Sequence, residues 1–232
     1  RRHQKIIEEA PSSCLTEDIR FRMGQDALKL ALACGYVGAG TVEFLVDEKM
    51  NYYFLEMNTR LQVEHCVTEM ITGLDLVQLQ IEIAEGKKLY IKQEDLKING
   101  HSIELRICAE DPANNFLPSI GTLTKYKIPH GTDYRLDDSY TEGMEIPIQY
   151  DPMIAKLIVH DTNRLNAINK LKKAIEDFEI EGIETTLDFG LFVLKHPDFV
   201  SGNIDTGFIE KYYADYLNTL NDSDEDEAAA LV

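Results

Sequence analysis

Five polar residues recur at every second position of the stretch Glu56-Met57-Asn58-Thr59-Arg60-Leu61-Gln62-Val63-Glu64. If this stretch is extended, Glu56, Asn58, Arg60, Gln62 and Glu64 share one face, while Met57, Leu61 and Val63 take the other. An ordinary half-exposed strand alternates in the same way. A solvent face, however, has no need of Asn and Gln interleaved with two acids and an arginine, so the composition points to a working surface. A further acid joins it through a hairpin. Position sums are constant along an antiparallel pair, and a turn centred between Lys49 and Met50 sets Glu43 opposite Glu56. Two carboxylates directly across a sheet repel each other. A divalent cation reverses that sign, and Mg²⁺ characteristically takes one or two carboxylates together with substrate phosphates. The pair predicts a nucleotide–metal site, against the plainer alternative of two acids splayed into water.

The remaining candidates are cations. Arg106 falls on the polar face of an alternating segment with Ser102, Glu104 and Cys108, opposite Ile103, Leu105 and Ile107. Taken alone, a surface salt bridge explains it more simply. Arg1, Arg2, His3 and Lys5 form a basic cluster that an exposed strand end would also produce.

Stepping outward, the chain must build elements that hold these side chains. Residues 4–10 read as a short strand broken by Pro11. Thr16, followed by Glu17 and Asp18, starts a helix in which Ile19, Met23, Ala27, Leu30 and Cys34 recur at helical spacing until Gly35. Strands over 41–46 and 51–63 form the hairpin. A short helix over 75–84 stops at Gly86. Alternation returns at 101–109, 121–127 and 152–160, with short strands and turns over 134–150. Leu165, Ile168, Leu171, Ile175 and Phe178 make an amphipathic helix ending at Gly182. Helices over 187–195 and 207–217 complete the chain. Hairpins in sequence with helices between them predict an α+β fold, not a parallel doubly wound sheet.

A net charge of −18 argues against a nucleic-acid partner. Asp222, Asp224, Glu225, Asp226 and Glu227 concentrate part of it near the C-terminus, and residues 213–232 are expected to be a solvated, disordered tail. No apolar run reaches the roughly 18 residues of a membrane span, and no signal-peptide pattern opens the chain. No membrane association and a cytoplasmic setting are therefore expected. Cys14, Cys34, Cys66 and Cys108 include no CxxC pair and read as buried free thiols.

At this point a family resemblance enters. Arg1-Arg2-His3-Gln4-Lys5, Gly38-Ala39-Gly40-Thr41-Val42-Glu43-Phe44, Glu56 through His65, Glu104-Leu105-Arg106-Ile107 and Ala109-Glu110-Asp111-Pro112 resemble biotin carboxylase, in that order and at similar spacing. Tyr150-Asp151-Pro152-Met153-Ile154-Ala155-Lys156-Leu157 and Gly182-Ile183-Glu184-Thr185 continue the match, which runs to about residue 212. The string around Arg60 and Glu64 is the most specific part, because other ATP-grasp enzymes keep the acid and the Asn but differ after them.

The resemblance implies a carboxylase half-reaction in which ATP and bicarbonate carboxylate biotin on a carrier protein through carboxyphosphate. It implies that Glu43, Glu56 and Asn58 hold Mg²⁺, or Mn²⁺ in its place, on ATP, with His3 and Leu45 contacting the nucleotide. Lys5, Arg60, Gln62 and the Val63 backbone would hold bicarbonate, and Glu64 would deprotonate it. Arg106 would stabilise the biotin enolate and the released phosphate. Implied partners are a biotin carboxyl carrier protein, a carboxyltransferase subunit and a second copy of the chain, within acetyl-CoA or another acyl-CoA carboxylase and hence fatty acid biosynthesis. Implied domains are the C-terminal part of an ATP-grasp domain over 1–97 and a biotin carboxylase C-terminal domain over 98–212, before the tail.

Two departures stand out. The family carries an N-terminal nucleotide-fold domain and a glycine-rich lid, with an ATP-contacting lysine, ahead of the point where this sequence opens. The chain alone is thus expected to be inactive. Cys66 stands where the family often has proline. No biotinyl domain is expected after residue 212, so the carrier should be a separate protein. Another ATP-grasp ligase, of the carbamoyl-phosphate or purine-pathway kind, and a non-catalytic dimerisation scaffold are the alternative readings.

Overall fold

The computed structural model describes residues 5–131 and 133–230, with side chains described as far as Thr219 in the final helix. Strand β1 (Ile7–Ala10) leads to helix α1 (Glu17–Ala33). Thr16 caps α1 as its residue type predicts: its hydroxyl accepts from the Ile19 N–H at 3.3 Å, a bond typically worth about 1 kcal/mol. Strands β2 (Thr41–Val46) and β3 (Tyr52–Asn58) form the hairpin. The chain then turns into α2 (His65–Thr72) and α3 (Leu76–Ala84). Gly73, at φ 72°, closes α2 by donating to the Glu69 carbonyl at 2.8 Å, a left-handed position that favours glycine. Asp75 caps α3 by accepting from the Gln78 N–H at 2.7 Å.

Beyond these lie β4 (His101–Cys108), β5 (Glu110–Asp111), β6 (Leu117–Pro118), β7 (Gly121–Thr122), β8 (Lys125–Lys127), β9 (Tyr134–Asp138), β10 (Glu145–Ile146) and β11 (Met153–Asp161). Helix α4 (Arg164–Glu176) is followed by β12 (Glu179–Glu181), α5 (Leu187–Lys195), α6 (Pro197–Ser201) and α7 (Phe208–Ala230). One sheet has four strands in the order β1-β4-β11-β9, and the pairs β2–β3, β5–β6, β7–β10 and β8–β12 are antiparallel. The fold is α+β, as the pattern of hairpins and helices predicts.

The chain divides into two compact units. The first comprises Arg1–Ile7, Leu105–Leu157 and Leu171–Val232, and buries Leu105, Ile107, Leu123, Leu157, Leu171 and Leu194 completely. The second comprises Glu8–Glu104 and Ile158–Lys170, and packs Cys66, Val67 and Ile158 with Ala10 and Met70. No described helix is long and apolar enough to cross a membrane.

Several expectations are corrected. The strand read over 51–63 ends at Asn58. Alternating polar residues do not distinguish a strand from a loop that merely starts extended, and a helix, α2, begins at His65. The segment 121–127 splits into β7 and β8, and the helix expected to run to Gly182 gives way to β12. The polar face of β4 is not on the surface: Ser102 and Glu104 are fully buried, and the Ser102 hydroxyl donates to the Val159 carbonyl at 2.8 Å. Cys66 and Cys108 are buried free thiols, but Cys14 and Cys34 are exposed. The disordered tail from 213 is instead helical through Ala230. Tyr213 is buried among Phe116, Phe189 and Phe192, so the helix is anchored past residue 212. Burial pushes the Tyr213 phenol up to about 12, with Tyr216 adding to the effect.

Candidate active site

Glu43 and Glu56 are cross-strand partners, as the sequence predicts, but by a different route. The turn is centred half a position earlier, on Lys49. Asp47 organises it by accepting from the Lys49 and Asn51 N–H groups at 2.9 and 2.8 Å, and Met50 sits at φ 62°. Near the turn Phe44 faces Phe54 and Leu45 faces Tyr53, a register that continued unbroken would set Glu43 against Leu55. A bulge between Glu43 and Phe44 shifts the pairing by one and restores Glu43 to Glu56. Bulges re-aim side chains in this way at functional sites.

The two carboxylates turn toward one positive point. The Asn58 amide donates to Glu43 Oε1 at 3.1 Å and to Glu56 Oε1 at 2.9 Å. Gln62, nine-tenths buried, donates to the same Glu43 oxygen at 2.5 Å. The arrangement fits a divalent ion: it would satisfy both carboxylates with a larger charge, and the amide oxygen is a further hard ligand of the kind Mg²⁺ prefers. Leu45, on β2, presents a half-exposed apolar side chain.

Arg60, Gln62, Val63 and Glu64 lie on the loop between β3 and α2, not on a strand face. Arg60 is exposed and donates to the Leu61 carbonyl at 3.2 Å. Glu64 is the N-terminal cap residue of α2, yet its side chain makes no capping bond. Lys5 and Arg106 belong to the other unit. Lys5 is exposed. Arg106 is partly buried on β4, where its N–H donates to the Ile6 carbonyl at 2.9 Å. His3 lies outside the described residues.

Thr186 is a positioning residue that sequence reasoning missed. It precedes α5 as a cap residue, but its hydroxyl serves β4 instead of the helix. It donates to the Arg106 carbonyl at 2.8 Å and accepts from the Cys108 N–H at 3.0 Å. It is fully buried, so the bonds fix the backbone on both sides of Ile107. The available signal was a threonine one position before an apolar helix, which reads as a cap and nothing more. The cluster of His65, Cys66 and Glu69 was likewise missed, because helix α2 was.

A two-stranded hairpin bearing paired acids and an amide, with a polar loop feeding a helix, could hold a divalent ion on a phosphate-bearing substrate. Comparison with known proteins makes this particular. Residues 104–211 match the biotin carboxylase C-terminal domain, and residues 1–92 match the ATP-binding domain of the carbamoyl-phosphate synthase L chain. Biotin carboxylase 1 of Bacillus subtilis is 51% identical over 213 residues, covering 91% of this chain and 47% of its own length. The mitochondrial methylcrotonoyl-CoA carboxylase subunit alpha of Rattus norvegicus is 48% identical, over 94% of this chain and 31% of its own. Among solved structures, biotin carboxylase from Campylobacter jejuni in complex with β,γ-ATP superposes with a TM-score of 0.87 at 49% identity, over 91% of this chain and 47% of that one. The biotin carboxylase domain of a thermophilic 2-oxoglutarate carboxylase bound to bicarbonate gives 0.89 at 47% identity, over 91% and 48%. The chain belongs to the biotin carboxylase family. It spans about half the length of the biotin carboxylases it matches.

Proposed function

We propose that this chain works in an enzyme that carboxylates biotin at the expense of ATP and bicarbonate. The observation that carries the reading is the Glu43–Glu56 pair converging on Asn58, with Gln62 drawn onto Glu43. It is supported by the similarity to proteins described as complexes with β,γ-ATP and with bicarbonate. Residues 1–97 supply the C-terminal part of the ATP-grasp domain and 98–212 the biotin carboxylase C-terminal domain, a division supported by the two family matches.

In this reading Glu43, Glu56 and Asn58 hold Mg²⁺, which neutralises phosphate charge on ATP when bound. Leu45 and His3 contact the nucleotide. Lys5, Arg60, Gln62 and the Val63 backbone hold bicarbonate. Glu64 takes the bicarbonate proton, freeing an oxygen to attack the γ-phosphorus as ADP leaves. Carboxyphosphate then splits at its C–O bond into CO2 and phosphate; the phosphate takes the ureido N–H proton, and the nitrogen's electron pair bonds the carbon of CO2 to give carboxybiotin. Arg106 stabilises the enolate form of biotin and the departing phosphate with its two-pronged guanidinium. The biotin arrives on a carrier protein and its carboxyl group leaves to a carboxyltransferase. The working form is a homodimer, supported by a related biotin carboxylase domain described as a dimer. Service in acetyl-CoA carboxylation, and so in fatty acid biosynthesis, is one member of the acyl-CoA range to which the relatives' names point.

The test is ADP release by the active enzyme that carries this chain, with and without bicarbonate and free biotin. Cleavage that needs bicarbonate and quickens with biotin supports the reading. Cleavage indifferent to both, or requiring a nitrogen donor, would transfer the chain to another ATP-grasp chemistry.

A further inference from the structure

We infer that His65, Cys66 and Glu69 form a site for one soft divalent cation of the zinc class, separate from the hard-ligand site of Glu43 and Glu56. All three lie on α2. His65 Nε2 stands 3.6 Å from Cys66 Sγ and 3.7 Å from Glu69 Oε2, and the three ligand atoms fall within 4.8 Å of one another. A tetrahedral ion about 2.3 Å from sulfur and about 2.0–2.1 Å from nitrogen holds those two atoms about 3.6 Å apart. The imidazole is already turned for this role. His65 Nδ1 lies 2.9 Å from the Gln62 carbonyl, which can only accept, so Nδ1 carries the hydrogen and Nε2 presents its lone pair to the cluster. A metal-ligating histidine is ordinarily oriented by such a bond from its other nitrogen. The carboxylate is held too: Glu69 Oε1 accepts from the Leu76 N–H at 2.6 Å, leaving Oε2 toward His65.

Burial gives the second reason. Cys66 is fully buried and Glu69 is 8% exposed, beside Val67 and Ile158. Cys66 Sγ lies 4.0 Å from the Val63 carbonyl as a thiol; once it gives up its proton to bind, one doubly charged ion neutralises it and the Glu69 carboxylate together. Its entry is past His65, whose side chain keeps 12% of its surface exposed. Thiolate with imidazole selects zinc-class ions, whereas carboxylates and amides select magnesium. The Cys66 proton passes to solvent on binding, and water fills the remaining position.

Cobalt(II) reports such a site directly. The full chain, reduced and stripped with chelator, should bind one Co²⁺ with a thiolate-to-metal charge-transfer band that Zn²⁺ displaces and excess Mg²⁺ does not. Cys66→Ser should abolish the band and weaken binding by more than roughly 100-fold, the upper range for losing only a supporting hydrogen bond to a ligand. Cys14→Ser with Cys34→Ser should leave band and stoichiometry unchanged. X-ray absorption of the Zn²⁺-loaded wild-type chain should show one sulfur among nitrogen and oxygen neighbours, a reading that does not depend on any variant folding. Absence of one-to-one binding, a band that survives Cys66→Ser, or a zinc shell with no sulfur or with several would overturn the site and leave His65 and Glu69 as a plain ion pair. None of these outcomes depends on biotin carboxylation.

Discussion

At the scale of single residues, Glu43 and Glu56 present an energetic conflict that a ligand can resolve. Like charges directly opposed on two strands destabilise the pair, and here the Asn58 and Gln62 amides donate to them. If both acids serve one ion, either single Glu→Gln change in the active enzyme should raise the Mg²⁺ concentration needed for half-maximal ATP cleavage. The double change should cost far less than the sum of the two, because the first already dismantles the site. Additive costs, or an unchanged magnesium requirement in both singles, would remove the pair from the metal. The pairing of these residues was legible from the spacing of the hairpin. The bulge was not, because nothing in Glu43-Phe44 or Glu56 signals an extra residue in the opposing strand, and the correct pair emerged only because turn and bulge displace the register by compensating steps. His65, Cys66 and Glu69 were illegible for another reason: ligands one and four positions apart converge only once the segment is known to be helical.

At the scale of elements, sequence signals worked where a local bond makes the boundary. Thr16 and Asp75 cap their helices and Gly73 ends α2, each through its own side chain or backbone freedom. They failed where tertiary partners decide. Thr186 turns from its helix to β4, and Ser102 of β4 is buried with its hydroxyl on the Val159 carbonyl of β11. Glu9 on β1 shows what such partners are worth. Burial alone would raise its carboxyl above the ordinary value of 4.5. Bonds from His101 at 3.0 Å, Arg164 at 2.6 Å and Ser13 at 2.6 Å outweigh that and hold it at about 2. A carboxyl lowered this far contributes roughly 3 kcal/mol to stability at neutral pH. The contribution is complete above pH 4.5, shrinks as the pH falls toward about 2 and is gone below it. Glu9→Gln should therefore be less stable than the parent by a few kcal/mol at pH 7, with the gap closing between pH 4.5 and 2 in denaturant titrations. A gap that stays constant with pH would mean that Glu9 acts by packing and not by charge.

At the scale of the whole molecule, the proposed roles are divided between two compact units: Glu64 belongs to one and Arg106 to the other. With an overall charge of −18, the anionic substrates of the proposed function would have to be held by local cations and a metal, not by the general field. Glu64 lies on the loop with Arg60 and Gln62 and is assigned to bicarbonate, in the first half-reaction. Losing a general base typically costs about 10²–10⁴-fold in rate. In the active enzyme, Glu64→Gln should lose bicarbonate-dependent ATP cleavage by that order while nucleotide affinity stays near the parent's, since Glu43, Glu56 and His3 are untouched. Arg106 is assigned to charge that develops on biotin and on the leaving phosphate, in the second half-reaction. Arg106→Ala should depress biotin carboxylation far more than ATP cleavage, so that ADP forms without a matching amount of carboxybiotin. Arg106→Lys restores the charge but not the planar fork, and should rescue little. Both products can be followed in one assay, from labelled ATP and labelled bicarbonate. Normal ATP cleavage in Glu64→Gln would displace Glu64 as the base. Equal losses of ADP and carboxybiotin in Arg106→Ala would place Arg106 in a step common to both half-reactions, and its assignment to biotin would fall while the family assignment stood.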